Sequence, residues 1–327
     1  MLHSKEFVSK LGIDKLFRQS FKTNDSALFR YHTDKENLLQ MIYMIIAGYF
    51  EDDSSDELTN DPVFKAVLNK DTLASQPTIS RFHNRMDEDS LNQFLSINQI
   101  LRKKVYSIQM PEAIILDLDS TLLNAYGKQE GRAFNFHYQS NGYHPLVCYD
   151  EITKNNKVDY AVVYGEFMYQ AGPRPYERRV VCKVEKPEKP ENQMTYMYTF
   201  IVTNMESSPE YLIKFYCKRG LMENFIKESK TGFDFASVSS HTRVVNANRL
   251  QIHALAYNIF NWFRRLALSA NMRKQRIDTV RLKLLKIAAK VIRSARYITF
   301  KLCSSCPYKD EFYKTLSNIS NLCIQFE

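Results

Sequence analysis

The chain has 327 residues, 44% of them apolar, with six cysteines and a formal net charge of +9. This is ordinary material for a globular protein of two to four structural units with a sizeable buried core. Irregular cysteine positions with no secretory leader point away from a disulfide-rich secreted domain, and no apolar run reaches the roughly 18 residues of a membrane-spanning helix. The expectation is a reducing, cytoplasmic setting.

The first hundred residues read as helical. Thr33-Asp-Lys-Glu36 is a capping-box pattern that opens an apolar segment over 37–50. The acidic run 51–57 reads as a solvated loop, and Asp61-Pro62 as another turn. Ser75 or Gln76 before Pro77 starts a helix over 78–85 that bears Arg81 and Arg85, a pattern compatible with a helix-turn-helix reader of DNA or with a plain surface helix. Asp89 is read as the cap of a helix ending at Lys103-Lys104.

The run 113–121, AIILDLDST, is a short apolar strand whose Asp117 and Asp119 point to one side. Such carboxylates are costly to bury unless a cation partners them. Extended segments follow over 133–139 and 143–149, with turns expected at Gly127, Gly131, Asn141 and Gly142. His137 and His144 read as sheet histidines with hydrogen-bond partners rather than as metal ligands. Three strands rich in Val, Tyr, Thr and Phe come next, in 158–170, 176–186 and 195–204, joined by Pro-containing loops. Arg174, Arg178 and Arg179 in this region suit either phosphate contact or protection of strand edges.

The stretch 215–230 carries the most information. Tyr216, Arg219, Glu223 and Lys230 follow the spacing Y-x2-R-x3-E-x6-K, and on a helix they fall within a stripe roughly 60° wide. Ser207 or Ser208 can cap this helix, Pro209 suits its first turn and Gly232 is expected to end it. The plainer alternative is a solvated charged face with pairs such as Glu223–Lys227. A long helix over 243–268 then buries an apolar face that includes Trp262. Residues 280–295 read as a basic amphipathic helix, and 297–303 as a final strand. Ten cations between 271 and 301, Lys274 among them, oppose the single Asp278, so this stretch alone carries +9 and calls for a polyanionic partner. Cys303 and Cys306 form a lone C-x-x-C, short of four zinc ligands, and read as structural.

These residues resemble the DDE transposases of bacterial insertion sequences, in the group with the Y-R-E-K signature, over roughly 61–296. Asp119, in D-S-T at a strand end, matches the family's first metal-binding aspartate, and Glu223 its metal-binding glutamate. The resemblance implies catalytic and metal roles for Asp119 and Glu223 with Mg2+ or Mn2+. It also implies DNA contacts by Tyr216, Arg219, Lys230, Arg81, Arg85 and Lys274. The implied partner is double-stranded DNA at transposon terminal inverted repeats, with a homodimer on DNA left open.

The resemblance further implies an α/β fold. Its parts are a helical DNA-binding region over 1–108, an RNase H-like core in two pieces (109–153 and 206–270), an antiparallel β insertion over 154–205, and a basic helical region over 271–327. One departure matters. The family's second aspartate, in a strand motif near G-D-S-G, has no counterpart; Asp150 in YDEIT and Asp159 in VDYA lack that context. The resemblance therefore implies an internal deletion near 153–156, an incomplete core and impaired catalysis. A non-catalytic DNA-binding protein that modulates transposition is the alternative.

Overall fold

The computed structural model describes residues 1–27, 29–111, 114–136, 138–152, 162–170, 172, 176–185, 196–294 and 297–323, without the side chains of 114–119, 150–152, 197 and 217–222. In chain order the helices α1 (Leu2–Lys10), α2 (Ile13–Ser20), α3 (Asp34–Ala47), α4 (Ser54–Leu58), α5 (Pro62–Leu68), α6 (Gln76–Asn84) and α7 (Glu88–Ile108) come first. The strands β1 (Ile114–Ser120), β2 (Leu123–Asn124), β3 (Ala133–Asn135), β4 (Ser140–Tyr143), β5 (Leu146–Ile152), β6 (Val162–Tyr169), β7 (Arg178–Glu185) and β8 (Met197–Thr203) follow. Then come α8 (Pro209–Phe233), α9 (Arg243–Ala267), α10 (Ala270–Arg273), α11 (Ile277–Val280) and a π-helical turn (Arg281–Leu285). The chain closes with β9 (Ala289–Arg293), β10 (Ile298–Leu302) and α12 (Lys309–Ser320). Two compact units divide the chain: Met1–Pro111, Leu118–Val147 and Lys227–Glu327 form one, Glu112–Asp117 and Cys148–Ile226 the other.

The first unit is built around α3 and α9. The capping box forms as read: Thr33 Oγ1 accepts from the Glu36 backbone and Glu36 accepts from the Thr33 backbone. From Leu38 to Ala47 every residue of α3 is buried, the mark of a helix enclosed on all sides. Against α9 pack Phe94, Ile97, Leu101 and Val105 of α7, spaced so that they line one helix face. Truncating Phe94 to Ala would cost roughly 3–5 kcal/mol. Trp262 is buried in the core, as expected.

The second unit is an antiparallel meander, β6–β7–β8, matching the three strands read from the sequence. Val181 of β7 is fully buried against Leu212 and Ile213 of α8, with Tyr164 and Ile201 alongside. The sheets are small: β1 pairs β5, β2–β4–β3 form a second sheet and β9 pairs β10. The architecture is mixed α/β.

Several local expectations are corrected. Residues 280–295 are not an amphipathic helix. After the π-helical turn the chain switches to a period of two, and Ala289, Val291, Phe300 and Leu302 turn partly inward while Lys290, Ile292, Thr299 and Lys301 face solvent. β-branched Val291 and Ile292 favour this strand over a helix. The region over 271–327 therefore carries a β-hairpin between its helical parts, α11 with the π-helical turn before it and α12 after it. The cap of α7 is Asp87, whose carboxylate accepts from Ser90 at 3.0 Å, and the helix continues to Ile108.

The acidic run is more than a solvated loop. It includes α4, and Asp52 receives two hydrogen bonds at 2.9 Å from Arg249. Burial pushes the Asp52 carboxyl up, but Arg249 and nearby His83 outweigh it and hold it well below the carboxylate range. Asp61-Pro62 starts α5 rather than a simple turn; the Asp61 carboxylate caps Val63 and Phe64 at 2.8 Å. Asn141 and Gly142 lie within β4, and the turn before them places Gln139 at φ 51°. A Cβ on Gly142 would stand 2.3 Å from the Leu123 carbonyl oxygen, so this strand pair requires glycine there. Gly232 does not end α8. It sits inside the helix because a Cβ would meet Ile277 Cγ2 at 2.5 Å, and Asp234, at φ 51°, makes the break. His137, Asp159, Arg174, Arg296 and the loop 186–190 lie outside the described residues.

Candidate functional site

The signature helix forms as one element, α8. Ser208 Oγ accepts from the Tyr211 backbone at 3.3 Å, with Pro209 in the first turn. At its far end the Phe235 backbone N–H returns to the Ser229 carbonyl at 3.2 Å. Buried His253 of α9 donates from Nδ1 to the Phe233 carbonyl at 2.6 Å. Glu228 and Arg264 of α9 form a two-pronged ion pair, and Glu228 also accepts from the Ile277 backbone at 3.2 Å. Within the first unit, then, the last turns of α8 are fixed by side chains from α9 and by the backbone at the start of α11.

Along this helix Tyr216 is exposed, and the Arg219 side chain lies outside the described residues. Glu223 is exposed, and no Glu223–Lys227 ion pair forms among the described residues, so that plainer pairing is not what holds the carboxylate. Lys230 is half-buried and donates from Nζ to the Leu122 carbonyl at 3.0 Å. Burial lowers its pKa from the ordinary lysine value. The partner carbonyl lies three residues after Asp119, on the chain leaving β1.

Asp119 is on β1, with its side chain and that of Asp117 outside the described residues; Asp119 belongs to the first unit and Glu223 to the second. Asp150 sits on β5, its side chain likewise outside the described residues. Among the described residues no group of three or more His, Cys, Asp or Glu gathers as a metal site. The acceptor chemistry of Asp119 and Glu223, carboxylate oxygen, suits a hard divalent cation.

The remaining DNA candidates divide. Arg81 on α6 and Lys274 after α10 are exposed. Arg85 spends its donors internally, 3.3 Å from Asp25, Asp34 and Thr23, with its guanidinium over the Phe82 ring. Arg178 is exposed on β7, whereas Arg179 pairs with Glu166 and donates to the Ser207 carbonyl at 3.0 Å. His144 takes a partner in the sheet as read, Asn135 at 3.3 Å, and stacks on Tyr138.

One feature of the first unit was not legible in the sequence: an open cleft of about 450 Å³ lined by His144, Tyr143, Phe235, Asn246, Leu250 and Arg243, among others. The Arg243 guanidinium is exposed there with no ion pair among the described residues. Its lining comes from segments a hundred residues apart, and no spacing rule joins them.

No helix among the described residues is long and apolar enough to cross a membrane. No curated protein and no solved structure matches the chain. The family model "Transposase DDE domain group 1" matches residues 1–159 and 152–324, two stretches that overlap at 152–159. With nearly the whole chain matched, the protein belongs to the transposase DDE domain group 1 family.

Proposed function

We propose that this chain is an insertion-sequence transposase with an RNase H-like core that binds transposon-end DNA and has lost most or all of its strand-cleaving capacity. The observation that carries the reading is the α8 signature helix. It holds Tyr216, Arg219, Glu223 and Lys230 on one continuous helix and is tied by Lys230 to the residues that follow Asp119. In this reading Asp119 and Glu223 are the remaining metal carboxylates. Bound there, Mg2+ or Mn2+ would activate the attacking oxygen and stabilise the leaving one at a scissile phosphate. Arg219 suits bidentate phosphate contact, while Lys230 keeps donors beyond the one given to Leu122. Arg81 and Lys274 extend the DNA surface, and Arg85 supports α6 from behind.

The family match is in two stretches that meet at 152–159, next to the place where this reading puts a deletion. A two-carboxylate centre binds its ions weakly, because ligand number and placement set affinity. The second reading, a DNA-binding protein that modulates an intact relative's transposition, shares everything but cleavage. Incubation with terminal-repeat DNA and Mg2+ or Mn2+ separates the two. Binding that weakens with salt and no nicking is the expected result. Nicking abolished by Asp119→Ala or Glu223→Ala would overturn the proposed impairment. Absence of any DNA binding would overturn both readings.

A further inference from the structure

The meander of the second unit is inside out. The face turned to α8 carries the Arg179–Glu166 and Lys183–Glu185 ion pairs around Val181 and Ile201. By strand alternation and register, the opposite face presents Val163, Gly165, Phe167 and Tyr169 of β6, Val180, Cys182 and Val184 of β7, and Tyr198, Phe200 and Val202 of β8. Arg178, at the strand end opposite Tyr169, is the charged residue of that face. Its large side chains stand in water: Tyr198 is 61% exposed, Phe200 59% and Val202 57%. Phe200 stacks parallel on Tyr198 and meets Phe167 edge-on, each at 6.4 Å between ring centres, so the aromatic layer is ordered.

Contiguous apolar surface of this kind on a soluble chain marks an interaction site. Val163, Phe167, Tyr169, Tyr198, Phe200 and Val202 together expose roughly 700 Å², close to the about 800 Å² that each partner contributes to a standard interface. A face whose charge among the described residues is a single arginine at one strand end offers little to a run of DNA phosphates or to a strongly charged protein. A second copy of the same face matches it in area and apolar character, and a two-fold axis makes such a surface self-complementary. We propose that two copies of this chain associate through this face, sheet on sheet at the usual spacing of about 10 Å, without DNA.

The test is sedimentation of the full chain without DNA over about two decades of concentration, alongside alkylation of Cys182 followed by peptide mass mapping. Wild type is expected to dimerise, and Cys182 labelling to slow as concentration rises. Phe200→Lys and Tyr198→Lys should each weaken the dimer at least about 100-fold, since a buried unpaired charge is not tolerated. Leu282→Lys, at an exposed leucine of the first unit, should leave it intact. A monomer at all concentrations with concentration-independent Cys182 labelling overturns the proposal, as does self-association unchanged in both sheet variants. If the lysine variants lose their circular dichroism signal, wild-type Cys182 protection decides. DNA binding and cleavage do not enter the result, so it stands or falls apart from the transposase reading.

Discussion

The Lys230 ammonium reaches the Leu122 carbonyl oxygen at 3.0 Å and so joins the last turns of α8 to the chain emerging from β1. The two residues are 108 positions apart, which makes this bond a tertiary constraint rather than a local one. Replacing Lys230 with Met keeps the aliphatic stem but leaves a carbonyl without its donor. An unsatisfied, partly buried acceptor costs about 1–2 kcal/mol, so urea unfolding should shift by that amount. Lys230→Arg should recover part of the loss. If Lys230 also contacts DNA phosphate, Lys230→Met lowers affinity by more than its stability loss explains, and fluorescence anisotropy at fixed salt reads the difference.

A stronger constraint comes from Arg281. It is buried, donates from Nε to the Ile46 carbonyl at 2.9 Å and from Nη2 to those of Ile45 and Gly232, and pairs with Asp278 at 2.9 Å. Ile45 and Ile46 lie in the last turn of α3, Gly232 in the last turn of α8, so one cation satisfies orphan carbonyls at two helix C-termini. Its guanidinium also lies over the rings of Phe50 and Phe233. Burial lowers its pKa from the ordinary arginine value without threatening its charge. Arg281→Met should cost roughly 3–5 kcal/mol in chemical unfolding, within the range for breaking a buried charged network. Asp278→Asn, at an exposed partner, should change little.

Arg281 also shows where sequence reading stops. Its position in a run of ten cations made it look like one more solvent-facing charge, since composition cannot tell a cap from a surface lysine. The same applies to Asp52 in its acidic run and to Glu228, whose partner Arg264 is 36 residues away. What was legible depended on local rules: the Thr33–Glu36 capping box, the Ser208-Pro209 helix start, the alternating β6–β8 strands and the helix over 243–268. Residues 280–295 misled because Leu284, Ile287, Ala288, Val291 and Ile292 fit a helical stripe as well as a turn followed by a strand. Tertiary packing of Phe300 and Leu302 beside Met1, Val63 and Phe312 within the first unit decided between them. The spacing of Tyr216, Arg219, Glu223 and Lys230 placed them on one helix correctly, but which strand acid faces them depends on long-range assembly that spacing does not encode.

Two buried histidines weaken the fold in acid. Burial, outweighing their carbonyl hydrogen bonds, lowers His253 and His3 to about 4 each. In the unfolded chain they titrate near 6.5. Between pH 6.5 and 4 the unfolded state therefore binds protons that the native state refuses, and stability falls as pH falls through this window. Each histidine accounts for about 3 kcal/mol across the full window. Chemical unfolding at pH 7, 5.5 and 4.5 should show a steep decline, levelling only below the folded pKa values. Buried His83 and the buried Met1 ammonium are lowered too and add to the decline, so His253→Gln should remove one histidine's share of it; an unchanged slope would show that His253 is not a titrating group.

The hairpin carries the clearest electrostatic prediction. Lys290 and Lys301 are directly opposite in the β9–β10 register and both face solvent, while Val291 and Phe300 turn partly inward. Like charges placed opposite each other destabilise a strand pair, and a bound phosphate between them relieves that repulsion. Lys290→Glu converts the repulsive pair into an attractive one, so the hairpin should gain stability at low salt and lose that gain as salt screens it. DNA binding should move the other way: affinity falls, and the slope of log affinity against log salt drops by about one for each phosphate contact removed. The double variant Lys290→Glu with Lys301→Glu restores like-charge repulsion and removes both contacts, so it should be the weakest DNA binder without the stability gain. A DNA affinity and salt slope unchanged in the double variant would place the phosphate surface elsewhere, on Arg81 and Lys274 rather than on this hairpin.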